Sequence, residues 1–359
     1  MKGGEKIKTM WKRASVQISR KEKLVFAKYL AVLLGAGLAI DDAINVLAEQ
    51  SKRSMKKVLE TLGEYLSRGE TLSSGLMEYE YMFGPLFTNL VAAGEASGTL
   101  QTNLDHLVKQ MQKEYALTSK VRGAMVYPAI IILAAIGIAA GMFIFVLPNV
   151  LGLFESLDLQ LPLSTRILIA VSTFISENGI LTLLLSIGAI VLFFIIRKIA
   201  FFKPFLHRAL LLVPIIGGIV KKVNLARFTR SLGTMVESGV TIDEAIGITA
   251  RVVHNVHYQR IFIELEEAIA LGNEMSGVFE KYPHLIPPMA THVIYVGEQA
   301  GSLDEMLLHL ADFYEQEVSD ITDNLSDLIE PILLIIIGVF VGGLALSIMT
   351  PIYEVVGSF

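Results

Sequence analysis

Two glutamates are the residues best placed to do chemistry in this chain. Glu95 lies in Gly94-Glu95-Ala96-Ser97-Gly98-Thr99-Leu100, and Glu298 lies 203 positions further on in Gly297-Glu298-Gln299-Ala300-Gly301-Ser302-Leu303. A carboxylate held between glycines at a helix end accepts hydrogen bonds from exposed backbone amides or pairs with a basic neighbour. Two readings follow: a structural turn repeated because the fold repeats, or a partner-facing surface present twice. A second candidate is the acidic row Glu317, Asp320, Asp323, Asp327 and Glu330, whose three-and-four spacing puts it on one helical face. The histidines offer less. His254 and His257 have the spacing for two metal ligands on a helix, but no third ligand stands nearby in sequence. His106 and His309 fall at equivalent positions of the repeat, as packing residues do. The chain has no cysteine, no Gly-Lys dipeptide, no paired-histidine zinc helix and no Gly-x-Ser-x-Gly elbow. The expectation is therefore no catalytic residue, no metal and no cofactor, with any ATP spent by another protein.

The elements that carry these residues are duplicated. Gly37-Leu38-Ala39-Ile40-Asp41-Asp42-Ala43-Ile44 returns as Gly239-Val240-Thr241-Ile242-Asp243-Glu244-Ala245-Ile246 at an offset of 202, while Pro128 and Pro148 return as Pro331 and Pro351 at 203. Apolar residues at Leu24, Phe26, Ala27, Leu30, Ala31 and Leu34 follow helical spacing, matched by Phe228, Leu232 and Met235. Gly37 and Gly239 sit where a helix ends in a left-handed residue, and further turns fall at Gly69 and Gly272. Thr241 with Glu244, and Ser302 with Glu305, have the pattern of capping boxes, which Ala39 and Thr102 break in the first copy. Strand patterns are absent, so the fold class is all-α: two homologous bundles of about six short helices. The last helix of each starts near Leu100 or Leu303 and reaches a proline at the bilayer edge. Pro128 and Pro331 either start the spans or kink a continuous helix.

Hydrophobic residues make up 53% of the chain and mean hydropathy is +0.57, yet 18% of residues are charged, so the apolar ones must lie in blocks. Charge-free stretches at 127–148, 179–196 and 331–350 predict three transmembrane helices. The basic segment 1–20 has no apolar run, which argues against a cleavable signal and keeps the first domain on the side of synthesis. Residues 149–178 carry Arg166 alone among lysines and arginines, whereas the connector 197–226 is strongly basic. The positive-inside rule then places domain 1 (21–126) and domain 2 (227–330) in the cytoplasm. The loop 149–178, with an interfacial or re-entrant helix near Leu161–Ile175, and the tail 351–359 are expected outside. The spans contain no ionisable residue, unlike the polar pathways of transporters. Small residues at Gly137, Gly141, Gly338 and Gly342 suit close helix packing within the protein, in a homodimer, or against another membrane helix.

The two domains differ in charge. Residues 1–126 hold eighteen basic and thirteen acidic residues, net +5, and residues 237–330 hold eighteen acids against Arg251, Arg260 and Lys281, net −15. Duplicated folds with diverged surfaces acquire different contacts. The acidic row is expected either to stay solvated or to dock on Lys221, Lys222, Arg227 and Arg230 or on a basic partner.

Two Gly-Glu-x-(Ser/Ala)-Gly-x-Leu segments, each about thirty residues before a proline-led span, with a third hydrophobic segment between them, resemble the type II secretion system F family. That family includes platform proteins of type IV pilus assembly and of DNA-uptake pseudopili. The resemblance covers roughly 26–356. It implies a multi-pass protein of the bacterial inner membrane, not itself an enzyme, coupling a hexameric cytoplasmic assembly ATPase to pilin or pseudopilin subunits. Contacts with other inner-membrane assembly proteins and lipid follow, with no direct nucleic-acid contact. A homodimer is the expected oligomer on general grounds. A permease subunit served by a separate ATPase is the competing class, and a membrane sensor or scaffold is a third.

Overall fold

A computed structural model describes residues 18–148 and 163–357. The expectations for 1–17, for 149–162 of the loop after the first span, and for the last two residues lie outside that set. Every regular element among the described residues is a helix. They form two compact units, one made of residues up to Ser119 together with His207–Val318, the other of Lys120–Leu206 and Ser319 onward.

The first unit contains both copies of the repeat. Its first lobe runs α1 (Arg20–Gly35), α2 (Ile40–Gln50), α3 (Arg53–Ser67), α4 (Leu72–Glu78), α5 (Glu80–Phe83), α6 (Pro85–Ser97) and the start of α7 (Leu100–Ala124). α1 begins with a capping box: the Ser19 amide donates to the Glu22 carboxylate at 2.7 Å and the Glu22 amide to the Ser19 hydroxyl at 3.2 Å. The second unit holds α8 (Val126–Gly141), α9 (Leu163–Glu177) and α10 (Gly179–Ile196), and α11 (Lys203–Leu212) follows. The second lobe is α12 (Ile216–Glu237), α13 (Ile242–Val252), α14 (Val256–Ala270), α15 (Met275–Phe279), α16 (Pro288–Ala300) and α17 (Leu303–Asp323), and α18 (Leu325–Gly357) closes the chain. α11 and the first turns of α12 occupy the stretch expected to be a connector. They meet at a bend of 113°. Ile215 there has φ +65° and ψ −58°, and the Ile216 amide donates to the Pro214 carbonyl, a γ-turn of the strained hand.

The two cores are built on one plan and filled differently. Phe26 and Phe228 are equivalent and buried. Phe26 stacks on Phe87, with centroids 6.0 Å apart, and Phe228 on Phe262 at 4.0 Å. Phe87 corresponds to Ala290 and Phe262 to Leu59. Large and small residues have exchanged places around a fixed phenylalanine, which keeps core volume near constant. Gly37 and Gly239 have φ of +86° and +83°, as their positions require. The expected box at Thr241 does not form: its side chain caps no amide of α13 and bonds Asp243 instead, which together with backbone amides holds that exposed carboxyl below its ordinary value.

In the second unit α8 ends in a π-helical turn, Met142–Val146. The Leu147 amide bonds the Met142 carbonyl, five residues back, which leaves the Phe143 carbonyl without its usual helical donor. The buried Ser172 hydroxyl of α9 donates to it at 2.9 Å. The segment expected as an interfacial or re-entrant helix forms α9, which packs on α8's π turn, α10 and α18. Among the described residues, three helical stretches are long and apolar enough to cross a membrane: within Leu100–Val146, Gly179–Ile196 and Ile329–Leu346. A Cβ added at Gly137, Gly141, Gly338 or Gly342 would meet nothing within 4 Å, so within the chain these small faces bring no helices into close contact.

Candidate partner surfaces

Glu95 and Glu298 lie in the last turns of α6 and α16, and each reaches back to the start of a short helix. Glu95 accepts from the Leu72 amide at 2.6 Å and the Ser73 amide at 2.8 Å, the first two donors of α4. Glu298 accepts from Met275 at 2.6 Å and Ser276 at 3.1 Å, the first two donors of α15. These amides have no intrahelical acceptor, and a carboxylate at that end also opposes the positive end of the helix dipole. The flanking glycines permit the geometry. A Cβ at Gly94 would fall 2.8 Å from the Leu100 Cα, and one at Gly297 3.0 Å from the Met306 Cβ, so α6 and α16 cross the next helix at backbone distance. Gly98 and Gly301, at φ +72° and +66°, make the left-handed turns between those helices.

The acidic row is broken. α17 ends at Asp323, Asn324 is a turn, and α18 starts at Leu325, so Asp327 and Glu330 belong to a different helix from Glu317 and Asp320. Lys222 pairs with Glu317 inside the first unit, and Lys120 with Asp323 at 2.8 Å inside the second. Arg227 and Arg230, also considered as receivers of that row, have other acceptors. Arg227 pairs with Glu114 at 2.8 Å, and Arg230 with Glu315 at 2.9 Å and with Asp312. Asp327 and Glu330 are exposed. Pro128 is the third residue of α8, just past a break at Met125, whereas Pro331 is the seventh of α18. Pro128 thus sits in a first turn, where its missing amide costs little, and Pro331 lies deeper in its helix.

The histidine pairs separate as well. His254 lies in the turn before α14 and His257 inside it, because Asn255 caps that helix by accepting from the His257 amide at 3.0 Å. They do not share a helix face. Among the described residues no cluster of three metal-ligating side chains occurs. His106 lies 2.8 Å from Glu237, while its counterpart His309 is exposed beside Glu305 at 3.6 Å.

His106 belongs to a surface that sequence reasoning missed, the contact between the two lobes inside the first unit. One face of α7 covers α12. From one end to the other, His106 meets Glu237, the buried Gln110 amide donates to the Ser231 hydroxyl at 3.2 Å, and Glu114 meets Arg227. α6 lies against α13 on the same side. Lys113 adds a link to α17, 2.9 Å from Asp312 and 3.2 Å from Glu315. Burial alone would raise the Asp312 carboxyl, but Lys113 and Arg230 outweigh it and hold it below the usual carboxylate range. Hydrogen bonding to Asp312 pushes the Lys113 ammonium up. The available signal was the i, i+4, i+8 spacing of His106, Gln110 and Glu114 on one helix, with Arg227 and Ser231 spaced to receive them.

These features define a duplicated all-helical protein of two bundle lobes with three apolar helices of membrane-spanning length. Comparison with known proteins finds the same duplication: the pattern of the family described as Type II secretion system (T2SS), protein F, matches at residues 26–148 and again at 228–351. The chain belongs to this family. It is 34% identical over 342 residues to the type IV pilus assembly protein PilC of Thermus thermophilus, covering 94% of this chain and 83% of the relative. PilC of Pseudomonas aeruginosa is 30% identical, covering 95% and 91%, and type II secretion system protein F of Aeromonas hydrophila 31%, covering 94% and 87%.

Proposed function

We propose that this chain is a non-enzymatic platform in the bacterial inner membrane for assembling a type IV pilus or a secretion-type pseudopilus. In this reading both lobes face the cytoplasm, a hexameric assembly ATPase acts on them, and the three apolar helices guide pilin or pseudopilin subunits into the filament. The observation that carries the reading is the repeated unit itself, a helical lobe leading into a charge-free helix, present twice in a chain whose relatives are named for pilus assembly and type II secretion. Physically, a relay needs stiff elements and no chemistry. α7 and α17 span 25 and 21 residues and lead toward the apolar helices, and the spans offer no buried charge with which to move an ion. The basic connector favours the cytoplasmic placement of both lobes.

The acids Asp320, Asp323, Asp327 and Glu330 are the proposed partner-facing set, whereas Glu95 and Glu298 are taken up by the starts of α4 and α15. The test is reversal of Asp320, Asp327 and Glu330 to lysine, with Asp323 kept so that its pair with Lys120 survives. The expected result is loss of filaments and of ATPase co-purification at normal platform levels. Normal filaments with stable protein would reject that surface, and failure of the wild-type platform to co-purify with the motor would reject the coupling.

A further inference from the structure

At the junction of the lobes, inside the first unit, lies a cavity of about 400 Å³. Arg20 and Lys23 of α1 line it from the first lobe, and Arg227, Arg251 and His254 line it from the second. Among the described residues on its wall Glu114 is the one carboxylate, so four lysine and arginine side chains face a single acid, net +3 with His254 neutral. That acid is already shared, 2.8 Å from Arg227 and 3.9 Å from Arg20.

The repeat shows that this charge is particular to one place. Lys23 corresponds to the buried Leu225, Arg227 to Val25 and Arg251 to Glu49, so three of the four cations stand where the other copy is apolar or acidic. Residues 237–330 hold three basic side chains against eighteen acids, and one of the three, Arg251, is placed here. Holding the lobes together does not require such an excess, because their other polar links are matched, His106 with Glu237 and Lys113 with Asp312. Like charges gathered in a partly desolvated space repel one another. The groups register that repulsion: burial and then the Arg20 charge push the Lys23 ammonium below its ordinary value, and burial and then the Arg227 charge outweigh Glu114 and hold the His254 imidazole down.

Such a wall suits an oxyanion. The planar fork of arginine matches phosphate oxygens, and Lys23, which spends one of its three donors on the Met82 carbonyl, keeps two more. The rest of the wall suits a ligand larger than an ion. Met111 and the exposed Tyr115 of α7 present apolar surface, and the volume falls in the usual range of small-molecule sites, about 300–1,000 Å³. Gln110, also on the wall, donates to Ser231, but its own carbonyl oxygen is buried with no donor, and a ligand hydroxyl can supply one. We propose that the cavity binds a phosphate-bearing small molecule whose oxyanion is held by Arg20 and Lys23 from one lobe and by Arg227 and Arg251 from the other. Occupancy then ties the lobes together, and the junction becomes a joint that stiffens with ligand.

The test is titration of the full-length chain in detergent with inorganic phosphate, pyrophosphate and ADP at constant ionic strength, read by melting temperature and by hydrogen exchange. The expected result is a saturable rise in melting temperature with at least one of these probes, accompanied by slower exchange in α1, α7 and α13. Lys23→Gln and Arg251→Gln should each weaken binding of that probe roughly tenfold or more, the loss of one charge-assisted contact. Arg251 is exposed, so its variant keeps the test valid even where Lys23→Gln fails to fold. Arg260→Gln, an exposed arginine away from the cavity, should leave the affinity unchanged. No saturable effect of any probe, an equal effect of chloride, or unchanged affinity in Arg251→Gln would each overturn the proposal. Slower exchange that appears only in nanodiscs containing phosphatidylglycerol would overturn it in favour of a lipid headgroup.

Discussion

Replacing Glu298 by alanine should unlock the start of α15 while leaving the rest of the second lobe folded. The carboxylate accepts from two backbone amides at 2.6 and 3.1 Å, and the side chain of Glu274, the residue at the N-cap, caps no amide of α15. A hydrogen bond to a charged group is worth about 1.5–3 kcal/mol, and loss of a helix cap typically costs about 1 kcal/mol. The amides regain some water on opening, so a net loss of about 2–3 kcal/mol in the local opening free energy is expected. That corresponds to roughly 30- to 150-fold faster hydrogen exchange at Met275 and Ser276. Glu95→Ala removes the same two bonds from α4, but there the Thr71 hydroxyl still accepts from the Ser74 amide at 3.2 Å, so the acceleration at Leu72 and Ser73 should be smaller. The assay is hydrogen exchange with fragment-level mass spectrometry on the full chain in detergent or nanodiscs, with α12 and α14 as internal standards. Unchanged exchange at Met275 and Ser276 in the Glu298 variant, or a larger effect for Glu95 than for Glu298, would refute the capping argument. Uniform acceleration through both lobes would show that the turn is part of the global fold and not a local clasp.

Two other outcomes can be checked. Ser172→Ala should leave the Phe143 carbonyl of the π turn without a donor and lower stability by about 1–2 kcal/mol, read as a shifted unfolding midpoint, whereas Ser172→Thr keeps the hydroxyl and should restore most of it. The contribution of the Lys113–Asp312 pair to the link between the lobes should be flat in pH between about 5 and 10. Asp312, lowered, contributes above the ordinary carboxylate value of about 4 and loses that contribution as pH falls through its folded value, and Lys113, raised, contributes below about 10.4 and loses it as pH rises through its own. If this pair controls the link, distances between spin labels at Lys57 and Glu280 should broaden outside that range and not between pH 6 and 8, and broadening between pH 6 and 8 would count against it as the controlling link.

The parts of the fold that were legible in the sequence are those fixed by local backbone chemistry. Gly37, Gly98, Gly239 and Gly301 announced their turns because a left-handed residue after a helix admits little else. The charge-free stretches announced the apolar helices because a lipid core excludes ionised groups. What stayed hidden depends on residues far apart in the chain. Glu95 and Glu298 were recognisable as carboxylates able to accept amides, but the donors lie 22 and 23 residues upstream, and only folding shows which amides they are. Local patterns also misled where a competitor was available: Thr241 had the spacing of a cap and bonded Asp243, and the acid row had the spacing of one face until Asn324 broke the helix. The face of α7 that meets α12 gave no hydrophobic signal at all, since it is built from a histidine, an amide and charges.

The duplication lets the copies serve as controls for each other. Features present in both serve the lobe: Glu114 and Glu317 are equivalent, and so are Arg20 and Lys222, and the pairs Arg20–Glu114 and Lys222–Glu317 recur at corresponding places. Features present in one copy serve contact, and the clearest is Lys120 with Asp323. These two residues are also equivalent, 203 positions apart, and within the second unit they meet each other at 2.8 Å. Had the copies remained identical at this position, two like charges would face one another across the pseudo-symmetric junction, a repulsive arrangement. Divergence to opposite signs converts that repulsion into an ion pair that only two unlike copies in one chain can make. The copies differ in the same way at Gln110 and Ser231, a buried polar pair whose counterparts Phe313 and Tyr29 are apolar and exposed.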